Sequence, residues 1–194
     1  MLVRRIKLFV LALPVAVGCG SQPDLMPLKV GRETTYAVQL GLDSKIEPVK
    51  VVRQVPVAGV TGYELSGPLG VTRLAWKEGV LLADSTSNAR FSPPLPILAA
   101  DGKNRSWRGT VESMGKAQDA TAELTHEKAE LPLGTKKVDT TLATVKLKLP
   151  KADLELRSWF QEGVGLVQQE QQTGIAVVVR LEMVGSPRDI SSTR

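Results

Sequence analysis

The sequence predicts a single all-β domain built on an antiparallel sheet, and two patterns carry that prediction. Apolar and polar side chains alternate in segments such as TTYAVQLGL (34–42) and IAVVVRLEM (175–183), which is typical of strands that bury one face. Glycine and proline recur between such segments, about every 8 to 12 residues, where strands are expected to turn. Together these patterns favour a meander, a sandwich or a partial barrel.

The first half of the chain divides into short strand candidates at these breaks. EPVKVVRQV (47–55) is rich in β-branched residues, and VTGYELS (60–66) and GVTRLAW (70–76) are punctuated by glycine. GVLLAD (79–84) begins at a turn formed by Lys77-Glu78-Gly79. Each segment has the length and composition that strands prefer.

The clearest hairpin signal lies near the C-terminus. GLVQQEQQ (165–172) and IAVVVRLEM (175–183) are joined by Thr173-Gly174, which is typical of a tight hairpin turn. The pattern predicts one face of the second strand to be buried and the other to be largely polar. The predicted buried face comprises Ile175, Val177, Val179, Leu181 and Met183, and the other carries Val178, Arg180 and Glu182.

Residues 118–131 (QDATAELTHEKAEL) are ambiguous between helix and strand. The segment holds strong helix formers, but a helix here would have no continuous apolar face. Ala122 and Leu124 alternate with polar residues, as in a strand. We therefore favour two strands with a turn near His126-Glu127-Lys128, and a helix is the alternative.

The first eighteen residues have the layout of a secretory signal peptide. Arg4, Arg5 and Lys7 give a positive start, and the apolar run 8–17 is too short to span a membrane, which takes about 20 apolar residues. The run ends in Ala16-Val17-Gly18-Cys19, which resembles the lipobox of bacterial lipoproteins and holds the only cysteine of the chain. In that family the cysteine carries the lipid, so Cys19 is the expected attachment site. A secretory peptide cut elsewhere is the alternative.

A lipidated Cys19 would fix the protein to a membrane, because two or more acyl chains anchor stably. Gly20 rather than aspartate follows it, which resembles the sorting signal of lipoproteins on the periplasmic face of the outer membrane. Loss of the signal peptide lowers the formal net charge from +5 to +2 and leaves both signs interspersed. This distribution lacks the basic stripe of a nucleic-acid-binding protein.

The remaining sequence divides into a lipidated tether (19–26), one antiparallel β domain (27–186) and a polar tail (187–194). The β domain is long enough to bury a core of its own.

Four landmarks resemble a loose group of bacterial envelope proteins of unknown function. They are PLKVG (27–31), PPLPIL (93–98) leading to GKNRSW (102–107), LPLGT (131–135), and WFQEGVGLV (159–167). The chain departs from the group at Gln161 and Glu162, where Ala-Pro is usual, and at Lys136, where an aromatic is common. The resemblance implies an open half-barrel like that of the LolA and LolB lipoprotein carriers, with an antiparallel sheet curled around an apolar groove. Such kinship concerns the fold and does not carry function.

Within the last landmark, Gly163 and Gly165 are expected to form a structural turn. Glycine permits a positive φ or a bulge, which suits a sheet that must turn sharply. A phosphate-binding loop is excluded because the motif lacks the G-x-G-x-x-G pattern.

The chemistry-bearing residues predict no catalytic site, metal site or cofactor. His126 is the only histidine, so His and Cys ligands for zinc are lacking, and we expect it to be exposed at a turn. Glu123 and Glu127 belong to a segment with the composition of a solvated face. The three tryptophans are expected in the core, with a groove lining as the alternative for Trp76, Trp107 and Trp159.

These expectations leave two functions in competition and make an enzyme the least favoured. We expect a membrane-anchored envelope lipoprotein that acts as a non-catalytic structural or assembly accessory, presenting a sheet surface to a partner protein. The alternative is a carrier that holds a lipid or another apolar ligand in the curled sheet. A filled barrel with an exposed apolar patch would favour the accessory, whereas an enclosed apolar cavity would favour the carrier.

Overall fold

The computed structural model describes residues 25–87 and 89–190, in which the chain forms thirteen strands and no helix. Residues 1–24, with the predicted signal peptide and Cys19, lie outside the described residues. The strands are β1 (Arg32–Leu40), β2 (Asp43–Val57), β3 (Val60–Gly67), β4 (Gly70–Lys77), β5 (Val80–Thr86), β6 (Ala89–Ala99), β7 (Arg105–Ser113), β8 (Lys116–Leu133), β9 (Lys136–Leu149), β10 (Ala152–Gln161), β11 (Gly165–Thr173), β12 (Ala176–Met183) and β13 (Arg188–Asp189).

Twelve of these strands form a closed antiparallel barrel. Each strand from β1 to β12 pairs with the next, and β12 pairs back with β1, where Val38 lies opposite Leu181. The predicted all-β, single-domain, antiparallel fold is therefore confirmed, but the sheet closes where an open half-barrel was expected. Closure satisfies the backbone groups of both edge strands, and it places Val38 and Leu181 together in the interior.

Large aliphatic side chains fill the barrel interior. One cluster, the main core, draws inward-facing residues from strands β2 to β10, and Leu81, Leu98 and Leu124 are among its least exposed members. A smaller cluster of Tyr36, Val38 and Leu181 continues it across the closing strands. The alternation predicted from the sequence thus places one apolar face of each strand inside the barrel.

Both ends of the described chain lie at one end of the barrel. Leu25, Met26 and Leu28 pack against the main core, and Trp76 Nε1 donates a 3.0 Å hydrogen bond to the Met26 carbonyl. β13 pairs with the start of β1 although it lies in the predicted polar tail. We call this the terminal end, and the opposite end, which carries the β1–β2 and β11–β12 turns, the hairpin end.

β8 is one continuous strand, so the turn predicted near His126-Glu127-Lys128 is wrong, although strand rather than helix is correct. Its buried side changes along its length. Ala122 and Leu124 face the main core, whereas Leu131 belongs to a second cluster with Leu142, Trp159 and Val167. Trp159 alternates with Phe160 of the main core, so this second cluster lies on the outer side of the sheet. The long β8–β9 hairpin extends beyond its neighbours and packs there.

The predicted C-terminal hairpin is present as β11 and β12, with Thr173 opposite Ala176 across the turn. Leu181 is buried as predicted, but Ile175 is 104% exposed and Val177 is 47% exposed. The prediction fails at these two positions because β1 pairs with β12 only between Val179 and Met183. The first part of β12 therefore projects beyond the barrel at the hairpin end.

The sheet splits along β6. Ala89 and Arg90 pair with both β5 and β7, and Phe91 and Ser92 pair with β7. The segment from Leu95 to Ala99 pairs with β5 and has no pairing with β7. Pro93, Pro94 and Pro96 have no N–H to donate to a ladder, which weakens pairing here. We call the gap between Leu95–Ala99 and β7 the seam.

Candidate functional site

A charged groove on the outer face of the sheet is the larger of two described cavities, with a volume of about 790 Å³. Strand register places one residue from each of seven strands side by side along it. In order across β2 to β8, this row consists of Arg53, Glu64, Arg73, Ser85, Arg90, Glu112 and Ala117.

The row is polar because its members alternate with side chains that fill the barrel. Tyr63, Leu65 and Leu74 are sequence neighbours of Glu64 and Arg73 and face the main core. The opposite face of the same strands must therefore point outward. Val71 and Met114 add apolar walls to the groove near the hairpin end.

Glu64 joins two arginines into a fixed unit. Arg53 donates to both carboxylate oxygens, from Nε to Oε1 at 2.8 Å and from Nη2 to Oε2 at 2.9 Å. Arg73 Nε donates to Oε2 at 3.1 Å. These hydrogen bonds, chiefly those from Arg53, lower the pKa of Glu64, and Glu64 raises that of Arg53. Bidentate pairing of this kind fixes side-chain geometry, so both guanidinium groups are held in place along the groove.

Asp84 lines the groove where the sheet splits. Ala83 lies opposite Leu95, and Ser85 lies opposite Arg90. The single residue Asp84 of β5 therefore spans four residues of β6, 91–94, that have no partner on β5. Its Oδ1 atom is buried and accepts no hydrogen bond from any described residue. A buried carboxylate oxygen without a donor is unfavourable, so Asp84 is a lining residue whose carboxylate has unused capacity to accept a hydrogen bond.

The groove can bind polar groups through its charges and hydroxyls. Its described lining holds three arginines, three carboxylates and the hydroxyls of Ser85, Ser87, Ser92 and Thr110, with neither histidine nor cysteine among them. In the described part of the chain, His, Cys, Asp and Glu nowhere group in threes with the geometry of a metal site.

The three tryptophans do not meet in one groove. Trp107 is buried in the main core, edge-on to Phe91 with ring centroids 6.3 Å apart. Trp159 lies in the second cluster on the outer side, with the Arg157 guanidinium 5.0 Å from its ring centroid. Trp76 packs at the terminal end against the N-terminal segment. None of the three lines either described cavity.

His126 lies within β8 rather than at an exposed turn. Its Nε2 accepts a 3.0 Å hydrogen bond from the backbone N–H of Ala99, and its Nδ1 is buried without a partner among the described residues. Glu123 and Glu127 are exposed and alternate with it, so they point to the other face. The structure therefore does not bring these three titratable groups together.

Gly163 and Gly165 flank the turn between β10 and β11, with φ of 74° and 106°. Arg32 Nη2 donates to the Val164 carbonyl at 2.9 Å, tying this turn to the start of β1. The turn lies at the terminal end, where Met26 and Pro27 pass close to Gly165.

An apolar patch on two adjacent hairpins was not anticipated. Its members are Leu40, Leu42 and Ile46 of the β1–β2 hairpin and Ile175, Val177 and Val178 of the β11–β12 hairpin, all exposed. We call this the tip patch. The smaller cavity, about 240 Å³, lies beside it and is lined by Gln39, Gly41, Glu170 and residues 177–180. Arg180 and Glu170 form an ion pair there at 2.9 Å.

Comparison with known proteins supports the fold. A solved structure of a candidate lipoprotein from Parabacteroides distasonis is similar with a TM-score of 0.53 and 10% identity, over 87% of this chain and all of that one. A candidate exported protein with a YmcC-like fold from Bacteroides fragilis gives a TM-score of 0.46 and 12% identity, over 83% of this chain and 97% of that one. No protein-family description matches the chain, and neither does any curated protein. Among the described residues, none forms a helix long and apolar enough to cross a membrane. At 10% identity, the likeness to the Parabacteroides distasonis structure concerns the fold alone.

Proposed function

We propose that the chain is an exported lipoprotein, anchored through Cys19, that acts without catalysis by presenting its outer surface to a partner protein of the cell envelope. The N-terminal sequence supports export and anchoring. The filled barrel interior is the observation that favours presentation of an outer surface to a partner over transport of an apolar ligand inside the barrel.

A carrier of an acyl chain needs an apolar cavity that encloses most of its ligand. Here the interior is occupied by side chains from opposite walls, and Val38, Leu81, Leu98 and Leu124 are each less than 2% exposed. Side chains packed at the density typical of protein interiors leave few voids larger than a water molecule, which disfavours a lipid tail among them. The larger described cavity is instead an outer groove whose lining includes three arginines and three carboxylates.

The tip patch is the surface we assign to the partner. Scattered exposed aliphatic residues are ordinary, but six on the ends of two adjacent hairpins are a local concentration of apolar surface, which favours an interaction site. The patch lies at the hairpin end, whereas the chain from Cys19 reaches the barrel at the terminal end. Residues 19–25 can span at most about 20 to 25 Å, so an anchor at Cys19 would hold the terminal end near the membrane and direct the patch away from it.

Site-specific photo-crosslinking in intact cells tests this assignment. A photoreactive residue at Ile175 or at Leu42 should form a crosslink to one discrete protein, and the same residue at exposed Lys103 near the terminal end should not. Crosslinking to lipid from the tip patch, or equal protein crosslinking from all three positions, would count against the proposal.

A further inference from the structure

We propose that the outer groove holds a binding site for a small hydroxyl-bearing anion between Arg73 and Arg90. Its phosphate or carboxylate would be bound by the two guanidinium groups and the Ser85 hydroxyl, and its hydroxyl would donate to Asp84. This site goes beyond the display function and depends neither on the lipid anchor nor on the tip patch.

The register of three adjacent strands creates the anion position. Arg73 on β4 and Arg90 on β6 lie on either side of Ser85 on β5. Alternate strands of a sheet are about 10 Å apart, so two long arginine side chains can converge on one anion above the strand between them. Ser85 is on that middle strand, so its hydroxyl can donate to the same anion.

The arginines retain donors for a ligand. Arg73 uses Nε to bind Glu64, which leaves its two Nη groups without a partner among the described residues. Arg90 is paired in register with Glu112 but makes no ion pair within 4.0 Å in the part of the chain that the structure describes. Because Glu64 is shared by Arg53 and Arg73, its one negative charge does not neutralise both. The three arginines and three carboxylates of the lining balance in charge, so the site attracts an anion through its free guanidinium donors and not through a net positive charge.

Glu64 also reduces the cost of binding. A flexible exposed arginine loses side-chain entropy when it binds a ligand. Glu64 is 8% exposed, and from the neighbouring strand β3 it accepts a hydrogen bond from Arg73 Nε. Much of that ordering is therefore complete before the ligand arrives.

Asp84 indicates the second feature of the ligand. It lines the same groove as Arg73 and Arg90 and neighbours Ser85 in sequence. Its carboxylate lacks a donor at Oδ1 among the described residues. A plain phosphate or carboxylate at neutral pH donates poorly to a carboxylate, whereas an adjacent hydroxyl donates well. A phosphorylated or carboxylated polyol satisfies both ends of the site.

Titration calorimetry on the full-length protein tests the site, with inorganic phosphate, glycerol 3-phosphate and glycerate as probes. We expect all three to bind, the two hydroxylated probes at least about 10-fold more tightly than phosphate, because each gains a hydrogen bond to a charged group. Arg90→Gln should lower the affinity for every probe by about 10-fold or more. Arg108→Gln, which removes an exposed arginine of β7 outside the groove lining, should leave binding unchanged.

Two further variants complete the test. Asp84→Asn should abolish the higher affinity for glycerol 3-phosphate over phosphate while phosphate binding persists. Ser85→Ala should weaken the binding of phosphate itself. Tighter binding of dihexanoylphosphatidylglycerol than of glycerol 3-phosphate would assign the ligand to a lipid headgroup, and the reverse order to a soluble molecule. Absence of binding at millimolar probe, or equal losses from Arg90→Gln and Arg108→Gln, would overturn the proposal.

Discussion

The backbone N–H of Ala99 donates a 3.0 Å hydrogen bond to Nε2 of His126, which joins β6 to β8 across the seam. At the other end of the seam, Trp107 Nε1 donates to the Pro93 carbonyl at 3.0 Å. Side chains thus replace the backbone ladder where proline prevents it. Because a protonated Nε2 cannot accept, this contact between β6 and β8 depends on the protonation state of one imidazole.

The first prediction concerns pH. Burial, and then the charge of Arg105, lower the pKa of His126, while Asp101 opposes them. Below its ordinary pKa of about 6.5, the unfolded chain takes up a proton that the folded chain resists, so stability falls as pH falls through that range. Chemical denaturation should show a lower midpoint at pH 5.5 than at pH 7.5.

His126→Gln provides the control for that prediction, because glutamine can still accept the Ala99 hydrogen bond but does not titrate. His126 is the only histidine of the chain, so the variant should lose most of the pH dependence between 7.5 and 5.5. An undiminished slope in His126→Gln would show that the imidazole is not the titrating group.

The second prediction concerns the packing beside the seam. A Cβ on Gly109 would meet the Ser92 carbonyl oxygen, Trp107 Cζ2 at 2.6 Å and Pro93 Cδ at 2.8 Å. Gly109→Ala should therefore destabilise the fold by about 1 to 3 kcal/mol, as overpacking does. Gly185→Ala, where a Cβ meets nothing within 4 Å, should cost much less in the same denaturation experiment. Equal costs would mean that the seam is loosely packed.

The third prediction separates the two glycines of the β10–β11 turn. Gly163 has a φ of 74°, close to the left-handed region that asparagine tolerates, whereas Gly165 has a φ of 106°. Gly165→Asn should cost more than about 1 kcal/mol, and Gly163→Asn only a few tenths. Thermal melting of both variants checks the order, and a larger loss from Gly163→Asn would contradict it.

The fourth prediction concerns the anchor. Metabolic labelling with a palmitate analogue should mark the wild-type protein and not Cys19→Ser, because Cys19 offers the only thiol of the chain. The variant should also leave the membrane fraction, since without acyl chains little else binds it to a bilayer. Equal labelling of the two proteins would refute the assignment.

The sequence allowed the strands to be predicted because alternation is a local property. The register between strands depends on residues far apart in the sequence, so it could not be predicted from local patterns. Bulges near Arg53, Arg73 and Asp84 shift the pairing along their strands, and a shift of one residue changes which side chains are neighbours. The outer groove exists only because these shifted registers align the charged row, so its residues could not be grouped from sequence.

Closure of the barrel and the continuity of β8 were not predicted, for the same reason. The pairing of Val38 with Leu181 joins strands from opposite ends of the domain, and nothing in either segment identifies its partner. In β8 the buried side changes between Leu124 and Leu131. That change breaks the alternation near His126, which gives a continuous strand the appearance of two strands with a turn.

The central claim is that the barrel is filled and acts through its outer surface. Mass spectrometry of small molecules extracted from the protein, after purification from the envelope without added lipid, tests it most directly. We expect no apolar molecule at stoichiometric amounts beyond the acyl chains proposed at Cys19. A lipid or other apolar molecule recovered at about one per protein, and retained by Cys19→Ser, would contradict it and establish a carrier.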